Sequence, residues 1–133
     1  MLVVDASCLY AVVADSVAAD EVRELLVGDT DQIAPHVIDV EVLGVIRRDR
    51  LRGELDETAA SLAVEDLRAW PGERYSHRSL LPRAWELRGS VRTWDAMYVA
   101  LAEAMDATLL TLDRRLAGAA GLRCRVVVPS MPA

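Results

Sequence analysis

Leu2-Val3-Val4-Asp5-Ala6-Ser7-Cys8-Leu9-Tyr10-Ala11-Val12-Val13 joins three apolar residues, one acid and a second apolar run. An apolar run this short predicts a strand, and Ala6–Val13 predicts the helix that follows it. The same order returns near the other end. There Leu109-Leu110-Thr111-Leu112 predicts a strand over 107–112, followed by Asp113 and a short helix over 114–120. In open parallel α/β sheets, ligands bind outside the carboxyl ends of the strands. Asp5 and Asp113 therefore belong on the functional edge of such a sheet. Each taken alone also suits an ordinary helix cap.

Between these ends, strands and helices alternate. A second helix ends at Gly28 and is expected to be capped by Asp15 or Ser16. A short strand is expected over 32–34, before Pro35. A third helix is expected over 37–50, with Asp39 or His36 placed to cap it. Its apolar residues run almost all round, the pattern of an interior helix. Asp56 caps a fourth helix that stops at Pro71, and Pro71-Gly72 reads as a turn. Further elements are a strand over 73–77, a helix over 80–87, a helix over 94–105 with Thr93 as N-cap, and a last strand over 125–128. Trp94 and Tyr98 read as core. This alternation predicts an α/β fold with a central, mostly parallel sheet and helices on both faces. One sequence does not give the strand order.

The 133 residues fit a single domain, 1–133, with no linker, repeat or low-complexity stretch. No basic-then-apolar leader and no run near 20 apolar residues is present, so neither a signal peptide nor a membrane span is expected. Cys8 and Cys124 form no zinc or disulfide pattern and suit buried positions in a reducing cytoplasm. The net charge of −6 argues against a protein that coats nucleic acid through its own basic surface. All 15 basic residues are arginines, densest at Arg47, Arg48, Arg50 and Arg52 and again at Arg114-Arg115. Such runs read as solvated helix ends or as phosphate contacts.

Glu41 and Asp95 complete the candidate chemistry. Glu41 falls among Val37, Ile38, Val40, Val42 and Val45 on the third helix. A carboxylate there is costly unless it is paired with an arginine or bound to a metal. Asp95 lies in the first turn of its helix, where the dipole alone favours it. Four carboxylates in one cleft raise each other's pKa, and a divalent cation relieves that penalty. Oxygen-only ligands select Mg²⁺ or Mn²⁺ rather than zinc. Such an ion polarises a phosphodiester and activates water, so no side chain has to be the nucleophile.

Four blocks carry a resemblance. They are Val3-Val4-Asp5-Ala6-Ser7; Pro35-His36-Val37-Ile38-Asp39-Val40-Glu41-Val42 with Arg47-Arg48 after it; Thr93-Trp94-Asp95-Ala96-Met97-Tyr98-Val99-Ala100-Leu101-Ala102; and Leu109-Leu110-Thr111-Leu112-Asp113-Arg114-Arg115-Leu116. In this order they resemble the signature blocks of PIN-domain ribonucleases, and more narrowly the VapC toxins of type II toxin–antitoxin systems. The resemblance implies a PIN fold and a Mg²⁺- or Mn²⁺-dependent endoribonuclease acting on RNA. It makes Asp5 and Asp95 the main metal ligands, with Glu41 and Asp113 as the other acids of the catalytic set. Ser7 and Thr93 match polar positions beside the site, and Trp94 stands where the family often has Tyr. It also implies a cytoplasmic homodimer neutralised by a cognate antitoxin, whose basic tail an acidic toxin suits. Two other readings stand beside it. One is a phosphatase with Asp5 as nucleophile, although the usual second Asp two residues on is Ser7 here. The other is a binding module without catalysis.

Overall fold

The structure is a computed structural model that describes residues 1–130; the end of the 1–133 domain reading lies outside them. Five strands, β1 (Leu2–Val4), β2 (Gln32–Pro35), β3 (Glu73–Tyr75), β4 (Thr108–Leu110) and β5 (Val126–Val127), form one sheet in the order β3-β2-β1-β4-β5. Every pairing is parallel, with Val3 opposite Ile33 on one side and Leu109 on the other. The central strands are near-continuous apolar runs because both faces of the sheet are covered. Val3, Val4, Ile33, Leu109 and Leu110 are all buried.

The helices are α1 (Ala6–Val13), α2 (Ala19–Gly28), α3 (Val37–Leu51), α4 (Glu57–Ala69), α5 (Leu81–Glu86), α6 (Thr93–Ala104) and α7 (Arg114–Ala117). The chain steps outward from β1 to β2 to β3, then returns to β4 on the other side of β1. The right-handed rule for parallel crossovers, applied to this strand order, sends α1–α4 over one face and α5–α7 over the other. The packing follows this division: α1 lies against α2, α3 and α4, and α5 lies against α6. The order reverses between β1 and β4, so this fold's switch point lies just beyond Val4 and Leu110.

Several local expectations are corrected. Asp15 does not cap α2. It ends α1 in the left-handed region (φ 53°), and the Ser16 amide bonds the Ala11 carbonyl, a Schellman closure. α2 starts at Ala19 with no side-chain cap. His36 occupies the N-cap of α3 but its side chain makes no capping bond, and Asp39 does not cap the helix. The Val37 amide instead donates to His77 Nε2 at 3.0 Å, while Asp39 pairs with Arg74 at 2.8 Å. α3 is not an interior helix: Val42 and Ile46 are buried, but Val40 is 68% exposed and Leu43 is exposed too. Thr93 is the first residue of α6, after Arg92, and caps nothing. Trp94 is 57% exposed, whereas Tyr98 is core as expected. Cys8 is buried and Cys124 half-buried. Asp56 does cap α4, accepting from the Ala59 amide at 2.7 Å. Pro71-Gly72 forms no hydrogen-bonded turn but irregular backbone leading into β3, where Trp70 packs against Gly72 so closely that a Cβ there would strike its ring.

Candidate active site

At the switch point, Asp5 stands immediately after β1 and accepts from the Ala6 amide at 2.8 Å, so it caps α1. Its other oxygen, Oδ2, accepts from Ser7 Oγ at 2.8 Å and Thr111 Oγ1 at 2.7 Å. Asp5 is only 6% exposed, and all three of its donors are neutral. Burial pushes its carboxyl above the usual range; the hydroxyl donors oppose this and the charge of Asp95 adds to it.

Asp113 stands beyond β4 and caps α7, accepting from the Arg115 amide at 2.9 Å. Burial raises its carboxyl, but the Arg115 guanidinium and amide outweigh this and hold it below the ordinary range. Thr111 ties the two strand ends together. Its hydroxyl donates to Asp5 and accepts from the Asp113 amide at 3.1 Å. Asp95, in the first turn of α6, faces Arg92 at 3.4 Å. Glu41, one turn into α3, accepts from Tyr98 Oη at 3.0 Å and forms no ion pair among the described residues. Of the two readings for Glu41, the arginine pair is therefore not found among the described residues.

The four acids line one cavity of about 400 Å³, together with Ser7, Tyr10, Arg48 and Arg92. Thr93 is not on its wall; it lines a separate apolar slot with Val37, His77, Trp94 and Met97. Reading the sequence alone missed Thr111, Tyr98 and Tyr10 as site residues. For Thr111 the signal was present: a hydroxyl between Leu110 and Leu112, just beyond β4 and two residues before Asp113. Tyr98 sits on the core stripe of α6, and only its buried hydroxyl marks it out.

Burial pushes the Glu41 carboxyl up to about 7; the Tyr98 hydrogen bond opposes this, and the charges of Asp5 and Asp95 add to it. The ordinary value is 4.5. Between these two values the unfolded chain has released a proton that the folded chain keeps, so stability falls as pH rises through this window. Asp5, also raised, adds in the same direction. In metal-free buffer the melting temperature declines from about pH 5 to pH 8, and Glu41→Gln flattens the decline. An unchanged slope in that variant contradicts the burial of Glu41 beside Asp5 and Asp95.

The residues present fit a hard divalent cation. The donors are all oxygens, Asp5 is a buried carboxylate with no cationic partner among the described residues, and neighbouring acid charge adds to the burial that raises the Asp5 and Glu41 carboxyls. Among the described residues no three His, Cys, Asp or Glu side chains converge closely enough to enclose an ion. Mg²⁺ does not need such a cage, because it keeps several waters and takes one or two carboxylates.

This sheet order, with acids gathered at the switch point, defines a class, and comparison with known proteins agrees. Residues 2–122 match the PIN domain family. The chain belongs to the PIN-domain family and, within it, to the VapC group. It is 40% identical over 125 residues to Ribonuclease VapC1 of Mycobacterium tuberculosis, covering 93% of this chain and 94% of that one. Ribonuclease VapC9 of the same organism is 33% identical, covering 96% and 98%. The crystal structure of PAE2754 from Pyrobaculum aerophilum shares the fold at a TM-score of 0.67 and 24% identity, covering 88% of this chain and 84% of that one.

Proposed function

We infer that this protein is a toxin endoribonuclease of a toxin–antitoxin pair, one that hydrolyses RNA phosphodiester bonds with the help of a divalent cation. The observation that carries the reading is the buried carboxylate of Asp5, paired with no basic side chain among the described residues, sharing a cavity with three further acids. Asp5 and Asp95 would hold Mg²⁺ or Mn²⁺. When bound, the ion neutralises the acids, polarises the phosphodiester and lowers the pKa of an attacking water.

The chain's own groups supply the rest. Ser7 and Thr111 fix the rotamer of Asp5 through Oδ2. Tyr98 takes one oxygen of Glu41 and leaves the other to accept a proton from water. A carboxyl pushed up to about 7 is suited to that proton transfer near neutral pH. Asp113, held by Arg115, closes the cavity wall beyond β4. No side chain need be the nucleophile, and Ser7 occupies the place of the second Asp that an aspartyl phosphatase uses.

Self-association and neutralisation by a cognate antitoxin belong to the same reading. Exposed Val40 and Leu43 on α3, and Trp94 on α6, leave apolar surface for protein contacts. No helix of the described residues is long and apolar enough to cross a membrane.

The test is RNA cleavage by purified protein in Mg²⁺, in Mn²⁺ and in excess chelator. Cleavage is expected with either ion, loss with chelator, and recovery when the ion is restored. Full activity in chelator contradicts the metal mechanism, and no cleavage of any RNA with either ion contradicts the activity itself.

A further inference from the structure

We propose that Arg48 grips an RNA backbone phosphate at the rim of the acid cavity, and that Asp49 with Tyr10 is the buried anchor that aims it. The inference rests on the reading that this cavity takes RNA.

Three polar or charged side chains are buried among the described residues: Asp5, Thr111 and Asp49. The first two belong to the acid site. Asp49 does not, yet it is a carboxylate 6% exposed near the end of α3. Burying such a charge is costly unless it is paired and hydrogen-bonded. Its partners are the Tyr10 hydroxyl on Oδ2 and Arg48 Nε on Oδ1, the latter at 3.0 Å. Tyr10 and Arg48 both line the acid cavity. One buried group therefore holds two wall residues of the site in place.

Glu41, Val45 and Arg48 fall at i, i+4 and i+7, one stripe of α3, and all three face the cavity. The helical rise sets the Cα atoms of Glu41 and Arg48 about 10 Å apart along the axis. RNA entering a cluster of acids on a chain of net charge −6 is repelled, and a cation beside the cluster offsets this. Arg115 turns both its Nε and a terminal nitrogen to Asp113, and Arg92, though its terminal nitrogens are open among the described residues, gives its Nε to Asp95, so the charge of each is set against an acid of the site itself. Arg48 is different. Asp49 takes only its Nε, and among the described residues its two terminal nitrogens donate to no acceptor. A guanidinium fixed at Nε with its outer fork open matches a phosphate in two-pronged geometry.

The experiment measures binding of a labelled, mixed-sequence single-stranded RNA across a salt series. It uses the Asp5→Asn background so that the strand survives, beside cleavage by the wild type. Adding Arg48→Gln should weaken binding about tenfold and lower the slope of log affinity against log salt by about one. Arg48→Lys should recover the slope but not all the affinity, since a point charge replaces the fork. Asp49→Asn should weaken binding by less than Arg48→Gln while the melt stays cooperative. Binding and slope that ignore Arg48→Gln overturn the proposal even if the wild type cleaves RNA. A wild type that never cleaves, with binding still dependent on Arg48, removes the nuclease reading and leaves the phosphate contact standing.

Discussion

Asp5→Asn and Asp95→Asn each reduce RNA cleavage by more than about 100-fold while the protein stays folded. That loss exceeds the ~10–100-fold typical of a residue that only orients a ligand. It is expected because both changes remove charge from the site that would hold the cation. Asn keeps the shape of Asp5 and can still accept from the Ala6 amide, so the α1 cap survives. The neighbouring acids lose a like-charged neighbour, which relieves the strain visible in Glu41. Folding is checked by circular dichroism and cleavage by gel on the same preparation. Wild-type activity in either variant contradicts the assignment of these two residues.

Thr111→Val is the second large effect, on stability and activity together. The side chain is nearly isosteric and its backbone pairing to Val127 is untouched. What disappears is the hydroxyl that serves both strand ends. Asp5 loses one of its two hydroxyl donors, and the Asp113 amide loses its acceptor. Leaving a buried polar group unsatisfied costs about 1–3 kcal/mol. For a chain of this size each kcal/mol is worth roughly 3–5 °C of melting temperature. Activity should fall about 10–100-fold, the range for a residue that orients a ligand. Thr111→Ser keeps the hydroxyl and should retain most of both. A Thr111→Val protein with wild-type melting and cleavage contradicts the bridging role.

Much of this site is written locally in the chain. Asp5 and Asp113 follow apolar strands, and a parallel sheet forces such residues onto one edge whatever the strand order. Glu41 stands out because a carboxylate among valines needs a reason. What depends on distant partners was not legible. The α3 cap comes from His77, 40 residues away, so no pattern around Val37 reveals it. Asp15 carries a capping side chain, but the closure of α1 takes it into the left-handed region first. The all-round apolar pattern of α3 misled for a related reason. Periodicity reports which residues are apolar, not what covers them, and Val40 and Leu43 remain uncovered in the single chain. Trp94 misled in the same way.

Thermal melting in a titration of Mn²⁺, with wild type and Asp5→Asn compared side by side, addresses the cation directly. A ligand bound only by the folded state stabilises it by about 2.7 kcal/mol at a concentration 100 times its Kd. Wild type should therefore melt several degrees higher in saturating Mn²⁺, and Asp5→Asn should show little or no shift. A wild-type melt indifferent to Mn²⁺, or an equal rise in both proteins, would show that the acid cavity does not hold the ion.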